Sequence, residues 1–369
     1  MALSLSRAGR LALDIGGSSI LALQIAGASG KLKLRACYEW PLSEGLVVDG
    51  EIVDVDLFAR ELKAFAGQYG FRGRPVHLAV GNQKVIVRNI DMPVMTEEEL
   101  RGAIEFQAQD YIPIPVEEAV LDFQIIEKNM GADGVSRQEV LLVAAQRAMI
   151  GMFTAAVKQA GLKVAGIDIS SMALVRALIP PVSFFADVSE GSVCRAIADI
   201  SSSVSTLVVA VGEVLKFTRI INFSSDRFAR ALSEQLDVHF EDAQGLAQRV
   251  GLPGPIPAEE GLYAEEVLAD ARQRLLEAAS ELSDEIRRSL HYYQSQPSAV
   301  PATELILSGR GALVRNLDAH LTETLNIPVS IGNPLTHVAE NASKTPDATL
   351  ALMAPYLSVA VGLALPEED

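Results

Sequence analysis

The sequence predicts an α/β protein of two similar halves facing each other across a cleft, and three stretches carry that expectation. In "LALDIGGSSI" (11–20), Leu11, Leu13 and Ile15 mark a short strand that ends in an aspartate, two glycines and two serines. "IADISSSVSTLVVAV" (197–211) repeats the order about half a chain later: apolar strand, aspartate, isoleucine, small hydroxyl residues, second strand. "ELILSGRGALVRNL" (304–317) reads as a strand, a glycine turn and a helix.

Each piece has a chemical reason. Small residues between two strands permit a tight turn whose backbone N–H groups and hydroxyls can be aimed at an anion. An aspartate at the strand end holds a hydrated metal ion. The candidates are Asp14, Gly16, Gly17, Ser18 and Ser19 in the first turn and Asp199, Ser201, Ser202 and Ser203 in the second. One copy alone reads more readily as an ordinary solvated hairpin; two copies are what a grip on phosphates from both sides requires. A strand that feeds a helix through small residues adds Gly309, Arg310 and Gly311 as nucleotide contacts.

The elements follow in order. Strands fall at 11–15, 20–25, 32–38 and 76–80, with a helical pattern at 56–69, and "KVIVRNI" (84–90) is another strand. Thr96 and Glu99 form a capping box for a helix that Pro113 and Pro115 end. A hairpin (strands near 120–126 and 139–145, polar turn 129–137), a helix at 147–160 and the strand "VAGIDI" complete an inserted module at 82–168. Pro180 and Pro181 mark a hinge before a second half that begins near Ser192. There, strands at 193–200, 204–211 and 214–221 precede a helix from Ser225, the loop "GLPGPIP", and a long helix at 263–293 with an apolar stripe through Leu268, Leu275, Leu282 and Leu290.

Composition narrows the function. At 369 residues and 49% hydrophobic, the chain supports at least two cores. A net charge of −16 and 5% aromatics argue against nucleic-acid binding, which needs clustered cations and stacking platforms. Cys37 and Cys194 are isolated, and the five histidines show no ligand spacing, so neither a disulfide framework nor a zinc site is expected. The N-terminus shows no signal-peptide pattern. The uncharged stretch 349–366 is broken by Pro355 and Gly362 and reads as a buried helix rather than a membrane span.

Two phosphate-type hairpins, a proline-containing connection and a late strand–glycine–helix resemble the actin-like ATPase superfamily. Within it the chain is similar to the PilM family of type IV pilus assembly proteins, itself similar to the division protein FtsA. The stretches carrying that likeness are "DIGGSSI", "RNIDMPVMTEEELRGAIEFQAQDYIPIPVEEAVLDFQII", "GIDISSMALVRAL", "FTRIINFSSDRFARAL" and "LSGRGALVRNL". The resemblance implies an actin-like two-lobed fold with duplicated ribonuclease-H-like cores and an FtsA-type inserted subdomain. It divides the chain into first-lobe core (1–81), insertion (82–168), first-lobe return and hinge (169–191), second-lobe core (192–225), helical subdomain (226–303), second-lobe return (304–335) and a C-terminal return to the first lobe (336–369).

It further implies ATP between the lobes, with Mg held through water by Asp14 and Asp199 and with Gln244 beside the adenosine. The partner it implies is the cytoplasmic N-terminal tail of a PilN-like inner-membrane protein, within a larger pilus assembly platform. That tail would lie in a groove at the insertion, where Val85, Val87, Arg88 and Ile90 stand. The protein would be cytoplasmic and would meet the membrane only through its partner, with self-association left open.

The chain departs from that pattern at the nucleotide. Leu21 stands where a lysine is usual, Ser201 where the second hairpin has glycine, Ser224 and Ser225 where paired glycines occur. Gln244 and Ala247 replace the Glu and Lys beside adenosine, and Arg310 replaces the second glycine of a pair. Losing the lysine removes a phosphate counter-charge. No residue presents itself as a base for an attacking water, so no catalytic residue is assigned. Two alternatives remain: an FtsA-type filament protein, which would anchor through a basic amphipathic tail where this chain has "LALPEED", and a small-molecule kinase, which needs a positioned carboxylate base.

Overall fold

In a computed structural model, which describes residues 9–28, 30–130, 136–180, 193–297 and 299–366, the first half begins with the antiparallel strands β1 (Arg10–Ile15), β2 (Ser19–Ala26) and β3 (Lys33–Pro41). A small hairpin, β4 (Val47–Val48) and β5 (Glu51–Ile52), leads to α1 (Val55–Gln68), capped by the Asp54 carboxylate accepting from the Leu57 N–H. Then come β6 (Pro75–Val80), β7 (Val85–Pro93), α2 (Glu97–Gln107), β8 (Ala119–Met130) and β9 (Ser136–Gln146). The half closes with α3 (Arg147–Gln159), β10 (Lys163–Ile169) and α4 (Ser170–Leu178).

The second half repeats the opening: β11 (Cys194–Ile200), β12 (Ser205–Val211) and β13 (Val214–Ile221), then the helices α5 (Asp226–Leu236), α6 (Phe240–Val250) and α7 (Glu265–Gln294). β14 (Glu304–Ser308), α8 (Leu317–Leu325) and β15 (Val329–Ile331) complete its sheet. The chain then returns: β16 (Glu340–Asn341) pairs with β3, and α9 (Asp347–Met353) and α10 (Ser358–Ala364) follow.

The duplication is visible in strand order. One sheet runs β10-β6-β1-β2-β3-β16 and the other β13-β12-β11-β14-β15, so β3-β2-β1-β6-β10 and β13-β12-β11-β14-β15 are equivalent series. In each, an antiparallel triplet lies beside parallel strands. Asp14 pairs with Leu21 where Asp199 pairs with Thr206.

Period-2 alternation assigns the second sheet's faces. Ala196, Ala198, Leu207 and Val209 pack with the second-half helices, whereas Ile197, Val208 and Ala210 join the first-half core. α4 lies at this junction, touching β11, β12, β13 and α10. A Cβ on Gly362 would come 1.9 Å from the Ala173 carbonyl oxygen, so only glycine lets α10 approach α4 this closely.

Two expectations are corrected. The insertion does not run to residue 168. Its sheet is β7-β9-β8, with α2 over a core of Ile90, Met92, Leu100, Ile104 and Leu142. β10 pairs in parallel with β6 and α3 packs on α1, so residues 147–169 belong to the first sheet's layer. The apolar stretch 349–366 is not one helix. Pro355 introduces a single 3-10 turn, and α9 and α10 are bent by 96° about it. α10 is buried throughout, and among the described residues no single helix is long and apolar enough to cross a membrane. Part of the turn 129–137 and the hinge beyond Pro180 lie outside the described residues.

Candidate functional site

The two hairpins meet in the cleft. The first turn closes with the Gly16 N–H donating to the Ser19 carbonyl at 2.9 Å. The second is reached from the first lobe by the Gly50 N–H, which donates to Ser203 Oγ at 3.0 Å. A Cβ on Gly17 would lie 2.7 Å from the Ser203 Cβ, so the turns touch through a glycine. Asp14, Asp199, Ser19, Ser202 and Leu21 line one narrow recess of about 80 Å³.

Burial dominates the electrostatics there. Asp14 is pushed up to about 7, first by burial and then by the charge of Asp199, with Arg310 opposing. Asp199, 6% exposed, is also raised by burial, against hydrogen bonds from Ser201 and Ser308. Two carboxylates thus share a poorly hydrated space, where the charge of Asp199 disfavours ionisation of Asp14.

Arg310 is the cation beside them. It follows Gly309, which has a φ of +79°. A Cβ on Gly309 would lie 2.5 Å from the Ile200 carbonyl oxygen, so the position admits only glycine. The guanidinium leaves the second lobe, pairs with Glu39 on β3, donates to Ser19 Oγ at 3.1 Å and lies 4.3 Å from the centre of the Tyr356 ring. The Tyr356 hydroxyl donates to Glu39 at 3.4 Å. Gly311, expected at the cleft, is instead buried against the Ile200 side chain.

A wider recess of 420 Å³ adjoins, lined by Ser18, Ser203 and Gln244. Its charged lining is Glu44, Asp49, Asp226 and Glu241 against Arg230. Gln244 Nε2 donates to Asp226 at 3.4 Å. The structure therefore gathers Asp14, Gly16, Gly17, Ser18, Ser19, Asp199, Ser201, Ser202, Ser203, Gln244 and Arg310 around one cleft, with Gly309 and Gly311 packing behind it.

The second candidate region is a groove of 300 Å³ where β7 leaves the first lobe. Val85, Val87 and Arg88 line it with Pro113, Ile169 and Arg219. Ile90 does not; it is 5% exposed and packs inside the insertion with Met92 and Leu100. The reason is strand alternation, which turns Ile86, Ile90 and Met92 toward α2 and leaves Val85 and Val87 against the main core. Sequence reasoning missed how the insertion reaches the second lobe. Asn89 Nδ2 donates to the carbonyls of Leu215 and Lys216 at 3.4 and 3.2 Å, and Lys216 pairs with Glu139 at 2.7 Å. No local signal announces such partners, which lie far apart in the chain.

Two sheets of equivalent order, a hairpin from each at the intervening cleft, and a small α/β insertion in the first half define the actin-like class. The particular family follows from a match to the model for type IV pilus assembly protein PilM over residues 12–368, and the chain belongs to that family. The structure superposes on the PilM-PilN type IV pilus biogenesis complex with a TM-score of 0.78 at 25% identity, covering 97% of this chain and 98% of that one. It is 25% identical over 280 residues to the cell division protein FtsA of Streptococcus pneumoniae. That alignment covers 70% of this chain but only 59% of FtsA. MreB 5 of Spiroplasma citri, solved bound to AMPPNP, shares the fold at a TM-score of 0.54 and 14% identity, covering 96% of this chain and 94% of that one.

Proposed function

We propose that the chain is a scaffold of the inner-membrane assembly platform of a type IV pilus or related secretion machine. It holds the N-terminal tail of a PilN-like membrane protein and contacts other platform components. The observation that carries this reading is the groove along β7, supported by the structural match to a PilM-PilN complex. Among the described residues β7 pairs on one side only, with β9. An extended peptide recognised by such a groove needs apolar seats and a charge that fixes register. Val85 and Val87 offer the first, Arg88 and Arg219 the second. Through that tail the protein sits at the cytoplasmic face of the membrane without entering it.

Magnesium and ATP are the groups the fold family suggests, and the residues present do not fit them. Leu21 offers no counter-charge, the recess beside Gln244 carries four carboxylates to one arginine, and Arg310 is already committed to Glu39. No hydrolytic step is assigned. Photo-crosslinking from a reactive group placed at Val87 tests the docking reading: cross-links to the PilN-like tail are expected, and cross-links arising only from positions remote from β7 would refute it.

A further inference from the structure

We infer that Arg310 stands in the cleft in place of a bound nucleotide and ties the two lobes together by its own side chain. The tie rests on contacts from one lobe to the other. Arg310 projects from the turn after β14, whereas Glu39 and Ser19 belong to β3 and β2, and Tyr356 to the turn that returns the chain to the first lobe. The ion pair is partly shielded, its side chains 27% and 30% exposed. A planar guanidinium is suited to this task, because it can donate to a carboxylate along one edge while stacking its face on an aromatic ring.

The surrounding charge argues for an internal cation over an anionic ligand. Asp14 and Asp199 flank the same narrow recess, and Glu44, Asp49, Asp226 and Glu241 line the next. A polyphosphate entering between them would face these carboxylates and compete with Glu39 for the guanidinium. The hairpins are also joined without an intermediary, through Gly17 against Ser203 and through the Gly50–Ser203 hydrogen bond. A second cross-lobe link, Lys216 to Glu139 with Asn89 on the β13 backbone, holds the insertion to the second lobe. On this inference, closure rests on the chain's own side chains. The rival assignment, in which Arg310 replaces the lost lysine as a phosphate clamp, predicts the opposite dependence on Arg310.

The test uses the full chain, with Mg-ATP as probe, and two readouts: melting temperature, and the distance between spin labels at the positions of Arg60 and Glu323. Wild type should melt at the same temperature with and without Mg-ATP. Arg310→Ala should melt several degrees lower and show a longer, broader label distance that Mg-ATP does not restore. Glu39→Gln, which keeps the guanidinium and breaks only the pair, should shift both readouts the same way to a smaller extent, and it serves if Arg310→Ala fails to fold. A Mg-ATP-induced rise in wild-type melting would overturn the inference, and its loss in Arg310→Ala would establish the clamp instead. Unchanged melting and distance in both variants would overturn it as well.

Discussion

Arg310 and Glu39, 271 positions apart in the chain, form an ion pair that spans the cleft between the two lobes. The pair joins the turn after the second sheet's parallel strand to the third strand of the first sheet. It is set where the actin-like fold concentrates its hairpins, and it makes lobe closure a property of the polypeptide itself. Partial burial gives such a pair its value, because a fully exposed pair contributes little.

The carboxylates of the cleft should respond to pH in a defined direction. Asp14 has an ordinary value of 3.8 and a folded value of about 7, so between these the native state holds a proton that the unfolded chain has released. Its contribution to stability therefore worsens as pH rises through that window and is constant above it. Asp14→Asn should stabilise the protein by about 2 kcal/mol at about pH 8, after discounting the shift for the side chain's partial access to water. The gain should be smaller at about pH 6. Thermal melts at the two pH values check this; a variant less stable at both would mean that the charged carboxylate is needed.

Gly362→Ala tests the packing of the C-terminal return. The added methyl would meet the Ala173 carbonyl, a backbone atom that cannot swing aside. The expected loss is about 3 kcal/mol or more, the upper range for overpacking. Leu352→Asn, at a side chain 73% exposed on α9, should leave stability unchanged. Denaturant titration of both variants reads the contrast directly, and a mild effect at Gly362 would show that α4 and α10 can slide.

Thr96→Ala tests the insertion's helix. Thr96 Oγ1 accepts from the Glu99 N–H at 3.3 Å, and the Glu99 carboxylate accepts from the Thr96 N–H at 2.9 Å. The Thr96 backbone N–H, then its hydroxyl, hold the Glu99 carboxyl below its usual value. Loss of the cap should speed amide exchange in the first turn of α2 several-fold, with the two lobes unaffected. Uniform acceleration across the chain would mean that the insertion does not open as a separate unit.

Much of this architecture is legible in the sequence because its signals are local. The strand–aspartate–small-residue turns announce both hairpins, and Thr96 with Glu99 marks the start of α2 to the residue. What escapes is decided by distant partners. β10 looks the same in sequence whether it pairs with the insertion or with β6, and only the sheet order separates the two. Ile90 alternates with Val85 and Val87 in a strand flanked by cores on both faces, so hydrophobicity alone does not say which face each residue takes. Arg310 reads as a defect in a glycine pair, because nothing near it in the chain names Glu39 as its partner. The tail reads as one apolar helix, since Pro355 is visible but the hydrogen bonds its carbonyl accepts from Gly309 and Ser308 are not.

Docking of the partner tail is the central claim, and calorimetric titration of the full chain with a synthetic PilN-like N-terminal peptide tests it most directly. Wild type should bind at about micromolar strength, with or without Mg-ATP. Arg88→Glu, at an exposed groove position, and Val87→Asp should each weaken binding by roughly tenfold or more, the scale of one lost anchor. The melting temperature of Arg88→Glu, whose side chain is exposed, should stay near that of wild type, so its loss of binding reads the groove alone. Absence of binding, or equal affinity in wild type and both variants, would contradict the account.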